Sequence, residues 1–183
     1  MKSVAIFCGS RLGSHSRYAA AAERLCEALV QHGIRVVYGG GSTGLMGTIA
    51  DITLALGGKV VGVIPTQLVD VETAHRHLTE LHQVDSMHER KQMMSDLSDG
   101  FIALPGGFGT LEEISEVLSW AQIGLHRKPI GFLDVEGYFD RLIEFFDDMV
   151  THGFLRQESR DLVLLEENPR TLVDRMLGRI SPG

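Results

Sequence analysis

Residues 35–47 read RVVYGGGSTGLMG: a short apolar run, then a glycine-rich turn, then the start of a helical pattern. Glycines at such a turn let the backbone reverse tightly and let the helix pack closely on the strand. Residues 101–113, FIALPGGFGTLEE, repeat the order of strand, glycine turn and helix. Two such units in one chain favour a parallel β-sheet with helical crossovers.

The rest of the chain extends this alternation in both directions. Apolar runs of strand length occur at residues 4–7, 35–38, 60–64, 101–104, 130–133 and, as a candidate edge strand, 162–165. Helical patterns occupy residues 18–32 and about 45–56. Further helical patterns begin at Met87, after the second glycine turn, after residue 133 and at Pro169. Continuously apolar strands are typical of sheets covered by helices on both faces.

We therefore expect a Rossmann-like, doubly wound α/β fold with a mainly parallel sheet. The 183 residues fit a single domain spanning 1–183. Ligands in such sheets bind beyond the carboxyl ends of the strands, so the turns after the strands are the places to search. Residues 66–86 have the least regular pattern and are expected to form a loop over the site.

Composition and charge exclude several function classes. The chain has 24 acidic and 17 basic residues and a net charge of −7, which argues against a nucleic-acid partner. No apolar run approaches the roughly 18 residues of a membrane span. The two cysteines, Cys8 and Cys26, lack the spacing of a disulfide framework or of structural zinc. We expect a cytoplasmic protein with reduced thiols, no bound metal and no membrane partner.

The first glycine turn, residues 39–47, has two interpretations that the sequence leaves open. Its spacing resembles a dinucleotide-binding fingerprint, but the acidic residue expected after the next strand is absent, because that strand ends in Pro65. The glycines either approach a ligand or serve close packing of helix on sheet.

The second glycine turn is a stronger signal. Thr110 and Glu113 have the spacing of a capping box, in which Glu113 would only cap its own helix. However, Gly106, Gly107 and Gly109 are more glycines than a cap requires, and they favour a nest of N–H donors suited to phosphate. The turn lacks the GK[ST] ending of a Walker A motif.

Arg90 falls in the apolar stripe of the helix that begins at Met87, three residues after Met87 and four before Met94. A guanidinium in such a stripe either extends its head to the solvent or points inward toward an anion. The planar fork of arginine is suited to binding phosphate or carboxylate.

Taken together, these motifs resemble the LONELY GUY family, the cytokinin-activating nucleotide phosphoribohydrolases, members of which were formerly labelled lysine decarboxylases. The resemblance runs from about residue 3 to residue 165. The matching motifs are Phe7-Cys8-Gly9-Ser10, Val37-Tyr38-Gly39-Gly40-Gly41, Gly44-Leu45-Met46-Gly47, Val63-Ile64-Pro65, Met87 with Arg90-Lys91, Pro105-Gly106-Gly107 with Gly109-Thr110 and Glu113, and Trp120-Ala121-Gln122.

The resemblance implies hydrolysis of the N-glycosidic bond of AMP or N6-substituted AMP, which releases the free base and ribose 5-phosphate without a cofactor. It implies that Arg90 and Glu113 are catalytic. It further implies substrate contacts from a set of eleven positions that includes this pair: Glu72, Arg90, Lys91, Gly107, Phe108, Gly109, Thr110, Leu111, Glu112, Glu113 and Ser119. Family members are typically homodimers, so a homodimer is expected here.

Glycoside cleavage passes through an oxocarbenium-like transition state, which a fixed carboxylate stabilises. We therefore expect Glu113 to hold the ribose or the attacking water and Arg90 to position substrate and Glu113. The amides of the glycine turn would hold the 5′-phosphate. Two other functions stay open: a nucleotide sensor or carrier without hydrolysis, and a pyridoxal-phosphate decarboxylase, for which Lys91 is the candidate lysine.

Overall fold

The computed structural model describes residues 1–69 and 73–180. The strands are β1 (Ser3–Phe7), β2 (Arg35–Tyr38), β3 (Val60–Pro65), β4 (Glu80–Val84), β5 (Phe101–Ala103), β6 (Ile130–Leu133) and β7 (Val163–Glu166). The helices are α1 (Arg17–Gln31), α2 (Gly44–Ala55), α3 (Met87–Asp96), α4 (Phe108–Gln122), α5 (Asp140–Thr151), α6 (Gln157–Arg160) and α7 (Pro169–Gly178), with a 3₁₀ turn at Thr66–Leu68.

All strand pairs in the sheet are parallel, and the strand order is β4-β3-β2-β1-β5-β6-β7. The chain therefore builds one half of the sheet outward from β1, returns through α3, and builds the other half outward from β5. The order reverses between β1 and β5, which is where a doubly wound sheet opens a crevice for ligand.

Two apolar layers cover the sheet. One packs α1, α2 and α7 on one face, with Leu25, Ile49 and Leu172 among its fully buried side chains. The other packs α3, α4 and α5 on the opposite face, around Met94 and Phe132. The predicted Rossmann-like fold with helices on both faces is confirmed.

Individual elements agree with the sequence predictions to within about two residues at most boundaries, the usual uncertainty of helix ends. Gly33, predicted to end the first helix, follows its last turn with φ +66°, and Pro169 opens the last helix as predicted. The candidate edge strand forms β7 at residues 163–166.

The prediction that residues 66–86 form only a loop is wrong in part. Residues 80–84 form β4, which pairs with β3 in parallel. This strand reads ELHQV and lies at the edge of the sheet, so most of its side chains are polar and at least partly exposed. An edge strand lacks the continuous apolar run by which the central strands were predicted. Glu72 lies between residues 69 and 73, outside the described residues.

Candidate active site

The predicted site residues converge at the carboxyl ends of β1 and β5. The turn after β1 begins at Cys8, and the turn after β5 begins at Leu104. The two turns are joined by a hydrogen bond from the Gly9 N–H to the Pro105 carbonyl (3.1 Å). The site therefore occupies the crevice that the reversal in strand order creates.

A cavity of about 240 Å³ opens between these turns. Arg90 and Glu113 both line it, together with the start of α4. The lining residues are Ile6, Cys8, Gly9, Ser10, Gly39, Met46, Arg90, Gly107, Phe108, Gly109, Thr110 and Glu113. Five residues in the predicted stretch 107–113 and Arg90 from α3 thus face one space.

Arg90 points inward. Its side chain is only 5% exposed. Nε donates to the carbonyl of Val63 (3.2 Å), and Nη2 donates to the carbonyl of Gly39 (3.0 Å). These carbonyls lie at the ends of two neighbouring strands, so the backbone fixes the orientation of the guanidinium. The alternative in which this side chain extends to solvent is wrong.

Glycine at position 39 is required by this close approach. A Cβ atom built there would lie 2.0 Å from Nη2 of Arg90, far inside van der Waals contact. Gly39, the first residue of the first glycine turn, therefore makes room for the guanidinium of Arg90. Further along, Gly44 and Gly47 serve packing, because Cβ atoms there would lie 2.2 Å from the Ser10 carbonyl carbon and 2.1 Å from the Ser42 carbonyl oxygen.

Glu113 lies in the second turn of α4. The helix begins at Phe108, directly after Gly107, which has no side chain that could cap it. Thr110 is therefore already inside the helix, and the capping-box interpretation of Thr110 and Glu113 is wrong. Because residues three apart share a helix face, the carboxylate of Glu113 and the hydroxyl-bearing Thr110 face the same cavity.

The turn before α4 is suited to an anion. The first N–H groups of a helix have no partner within the helix, and the helix dipole adds partial positive charge at this end. Gly107, Phe108 and Gly109 carry these first groups and line the cavity. Cβ atoms at Gly107 and Gly109 would meet nothing within 4 Å, so the backbone here is open to a ligand.

Cys8 lies beside both predicted catalytic residues. Burial raises the pKa of its thiol well above the ordinary value, the charge of Glu113 raises it further, and the charge of Arg90 lowers it. The thiol is therefore protonated at neutral pH. It is a neutral wall of the cavity and not a nucleophile.

Lys91 is turned away from this cavity. Its ammonium group, 9% exposed, pairs with Glu112 and with Glu116 (3.0 Å). Burial lowers the pKa of Lys91, but the hydrogen bonds that its ammonium group donates to the two carboxylates outweigh that effect, and the pKa is raised. Lys91 and Glu112 thus tie α3 to α4, the two helices that carry Arg90 and Glu113.

Ser119 lies on α4 six residues after Glu113, about 9 Å further along the axis. Its hydroxyl donates to the Ser115 carbonyl (2.8 Å), and it lines a separate cavity between α4, α5 and α6. Within one chain the structure does not bring Lys91, Leu111, Glu112 or Ser119 to the lining of the Glu113 cavity. Their substrate contacts stay predictions that rest on the resemblance alone.

Among residues 1–69 and 73–180, no group of three or more His, Cys, Asp or Glu side chains is arranged to hold a metal ion. Within the same described part of the chain, no helix is both long and apolar enough to cross a bilayer.

Comparison with known proteins places this geometry in a family. The family described as "Possible lysine decarboxylase" matches residues 46–176. A probable cytokinin riboside 5′-monophosphate phosphoribohydrolase of Oryza sativa subsp. japonica is 46% identical over 173 residues, which cover 94% of this chain and 76% of the relative. A cytokinin riboside 5′-monophosphate phosphoribohydrolase of Arabidopsis thaliana, LOG5, is 45% identical over 175 residues, which cover 96% of this chain and 77% of the relative. The chain belongs to this family. The resemblance found in the motifs is thereby confirmed over nearly the whole chain.

Solved structures support the fold. The molybdenum cofactor binding protein of Rippkaea orientalis aligns with a TM-score of 0.75 at 17% identity over 98% of this phosphoribohydrolase-family chain and 97% of its own. The Moco carrier protein of Chlamydomonas reinhardtii aligns with a TM-score of 0.72 at 18% identity, covering 97% and 98% of the two chains. At such identities the likeness concerns the fold alone.

Sequence reasoning missed Tyr138, whose hydroxyl donates to the Gly106 carbonyl at 2.5 Å. It follows β6 by five residues and so lies at the same edge of the sheet as the site. The position of Gly137 in a turn after a predicted strand was the only available signal, and a single glycine does not indicate which turns meet.

Proposed function

We propose that this protein hydrolyses the N-glycosidic bond of adenosine 5′-monophosphates, including N6-substituted ones, to free base and ribose 5-phosphate. One observation carries the proposal: an inward guanidinium, a carboxylate and a glycine-rich helix start line one cavity of about 240 Å³. The relatives at about 45% identity are named for this reaction on cytokinin riboside 5′-monophosphates, and the site provides the groups that it requires.

In the reaction, the bond between C1′ of the ribose and the base nitrogen breaks. The oxygen of a water molecule bonds to C1′, and a proton from that water balances the departing base. Positive charge develops on the sugar as the bond lengthens, and the carboxylate of Glu113 stabilises that charge or accepts the proton of the water.

The other groups bind and orient the nucleotide. The amides of residues 107–109 bind the 5′-phosphate, which lies away from the bond that breaks and anchors the nucleotide at the site. Two backbone carbonyls hold Nε and Nη2 of Arg90, so the orientation of its guanidinium at the cavity is set before the nucleotide binds. A fixed donor costs little reorganisation in the transition state.

The decarboxylase name of the matching family does not suit the side chains of this chain. A pyridoxal-phosphate enzyme needs a lysine that forms a Schiff base and therefore loses its proton. Lys91, the candidate lysine, is paired with two carboxylates that raise its pKa, and it does not line the cavity.

A direct assay tests the proposal. The protein is incubated separately with AMP, isopentenyladenosine monophosphate, GMP and CMP, and free base and ribose 5-phosphate are separated by chromatography. Equal amounts of base and ribose 5-phosphate from the adenosine nucleotides support hydrolysis. Heat of AMP binding in a calorimeter without release of base would support a sensor or carrier instead.

We also propose that the protein is a cytoplasmic homodimer. The predicted interface, the helices bearing Met87 and Trp120, forms a groove on the surface in which Met93 and Trp120 are partly exposed. At the end of α4, Ile123 and Leu125 are each 69% exposed, and a second copy would bury such apolar side chains. Light scattering measures the mass: twice 20.1 kDa supports the dimer, and a single 20.1 kDa species contradicts it.

A further inference from the structure

Tyr138 connects two loops over the mouth of the crevice. It lies in the turn between β6 and α5, and its hydroxyl donates to the carbonyl of Gly106, 32 residues earlier. Its ring makes edge-to-face contacts with Tyr18, at 5.9 Å between centroids, and with Phe139, at 5.0 Å. These contacts hold the ring even though 44% of the residue is exposed.

The turn that carries Tyr138 is itself firmly held. Asp134 is 3% exposed, and its Oδ1 accepts a hydrogen bond from the Phe139 N–H (2.8 Å). The Asp134 N–H donates to the carbonyl of Glu166 on the neighbouring strand (2.9 Å). Phe139 is 2% exposed and anchors the far end of the turn in the core. The hydroxyl of Tyr138 is thus presented from a rigid support.

Gly106, which accepts this hydrogen bond, directly precedes the amides that face the cavity. Its Cα is enclosed, because a Cβ there would lie 2.1 Å from Oγ1 of Thr110 and 2.8 Å from the Gly9 nitrogen. Pro105 is tied to Gly9 on one side of the turn. The next two residues, Gly107 and Phe108, are exposed. The hydrogen bond from Tyr138 to the Gly106 carbonyl therefore holds the backbone directly before these exposed residues.

We propose that Tyr138 is a positioning residue for phosphate binding: through the Gly106 carbonyl it orients the N–H groups of residues 107–109 toward the 5′-phosphate. Tyr138 lines an adjoining cavity of about 380 Å³ that shares Gly9, Ser10 and Gly107 with the Glu113 cavity, but it does not line the Glu113 cavity itself, so it acts on the turn and not on the reacting atoms. The inference rests on the proposed function for the identity of the nucleotide, but binding of a phosphate group to this turn can be measured without turnover.

The phenylalanine variant isolates the hydroxyl, because Tyr138→Phe keeps the ring and both aromatic contacts. A lost neutral hydrogen bond corresponds to an affinity loss of about 3- to 10-fold. We expect KM for AMP to rise by about that factor while kcat changes less than about twofold, since the phosphate is bound equally in the ground and transition states. The affinity for ribose 5-phosphate, measured by calorimetry, should fall by the same factor, and the affinity for adenosine should not.

The matched control is Tyr18→Phe, which removes a hydroxyl from the same aromatic pair but leaves the Gly106 carbonyl paired. It should match the natural protein in KM and in ribose 5-phosphate affinity. Both variants keep their rings, so both should unfold in one cooperative transition, with a small decrease in Tm for Tyr138→Phe because one hydrogen bond is lost.

Unchanged KM and phosphate affinity in Tyr138→Phe would overturn the inference, as would a fall in kcat at constant KM or an equal loss of adenosine affinity. If the natural protein binds ribose 5-phosphate but releases no base from AMP, the proposed function fails while the calorimetric comparison still decides the role of Tyr138. A Tyr138→Phe protein that unfolds at a lower temperature and loses affinity for adenosine as well would assign the hydroxyl to general stability and would also overturn it.

Discussion

Gly39 and Arg90 show how a single backbone position sets the direction of a functional side chain. The guanidinium approaches the strand end so closely that only a hydrogen atom fits on Cα of residue 39. An alanine there would push Nη2 away, because its methyl group would lie 2.0 Å from that atom. Displacement of a positioned group by about 1 Å can reduce turnover by about 100-fold.

We therefore expect Gly39→Ala to reduce kcat/KM for AMP by about 100-fold with the fold retained. Release of adenine measures the rate, and circular dichroism measures the fold. The matched control is Gly178→Ala, at a helix end where a Cβ meets nothing within 4 Å, and it should keep full activity. Near-normal activity in Gly39→Ala would show that the direction of Arg90 does not limit the reaction.

The thiol of Cys8 provides a second test at the scale of one residue. Because burial and the charge of Glu113 raise its pKa, the thiolate fraction at pH 8 is small, and each unit of pKa lowers it by about tenfold. Iodoacetamide should therefore label folded protein far more slowly than free cysteine, and the rate should still be rising with pH above 9.

Cys26, the second of the two cysteines, is also buried, and burial raises the pKa of its thiol to about 11. In a Cys26→Ser variant, Cys8 is the remaining thiol, so labelling of that variant reports on Cys8 alone. Labelling of that variant at pH 8 as fast as free cysteine would contradict a protonated, enclosed Cys8. Mass spectrometry of the labelled peptide identifies the site.

Local rules indicated Arg90 and the turn before Glu113 as candidates, and the family resemblance implied their catalytic roles. Arg90 is a charge in an apolar stripe, and the glycines before Glu113 are more than a helix cap needs. The positions of Lys91 and Ser119 relative to the cavity could not be found in this way. They depend on which side of a helix faces a neighbour, and neighbouring residues on one helix can face different partners.

At the scale of elements, α3 and α4 must keep a fixed distance for Arg90 and Glu113 to share one cavity. Lys91 ties the helices together through Glu112 and Glu116. Glu112 is 54% exposed, so solvent screens its share of the attraction and Glu116, at 24%, contributes more.

We expect Lys91→Met to lower the free energy of unfolding by about 1 kcal/mol, measured by urea denaturation. The double variant with Glu116→Gln should be less destabilised than the sum of the single variants, because each single change already removes the shared interaction. Strict additivity would contradict a direct tie between the helices.

The elements most accurately predicted from sequence are the central strands, such as β2 and β6, since burial on both faces makes them continuously apolar. At the start of α4, the interpretation of Thr110 and Glu113 as a capping box is wrong, because the helix already begins at Phe108 after Gly107. The edge strand β4 was missed because its sequence, ELHQV, is mostly polar, as the sequence of a surface loop is.

At the scale of the molecule, the reversal of strand order between β1 and β5 brings residues from four turns to one edge of the sheet. The alternation of strands and helices was sufficient to predict a doubly wound sheet, and hence this edge as the binding edge. It was not sufficient to predict that Arg90, from a helix on the opposite half of the sheet from α4, reaches the same cavity. That arrangement depends on strand order, which local sequence does not encode.

The most direct test of the shared site compares catalysis with binding in Glu113→Gln, which keeps the size of the side chain and removes its charge. The measurement is release of adenine from AMP, alongside calorimetric affinity for the product ribose 5-phosphate. We predict at least about 100-fold slower release with affinity within about threefold of the natural protein. Release of adenine at the natural rate would show that the carboxylate of residue 113 does not perform the chemistry.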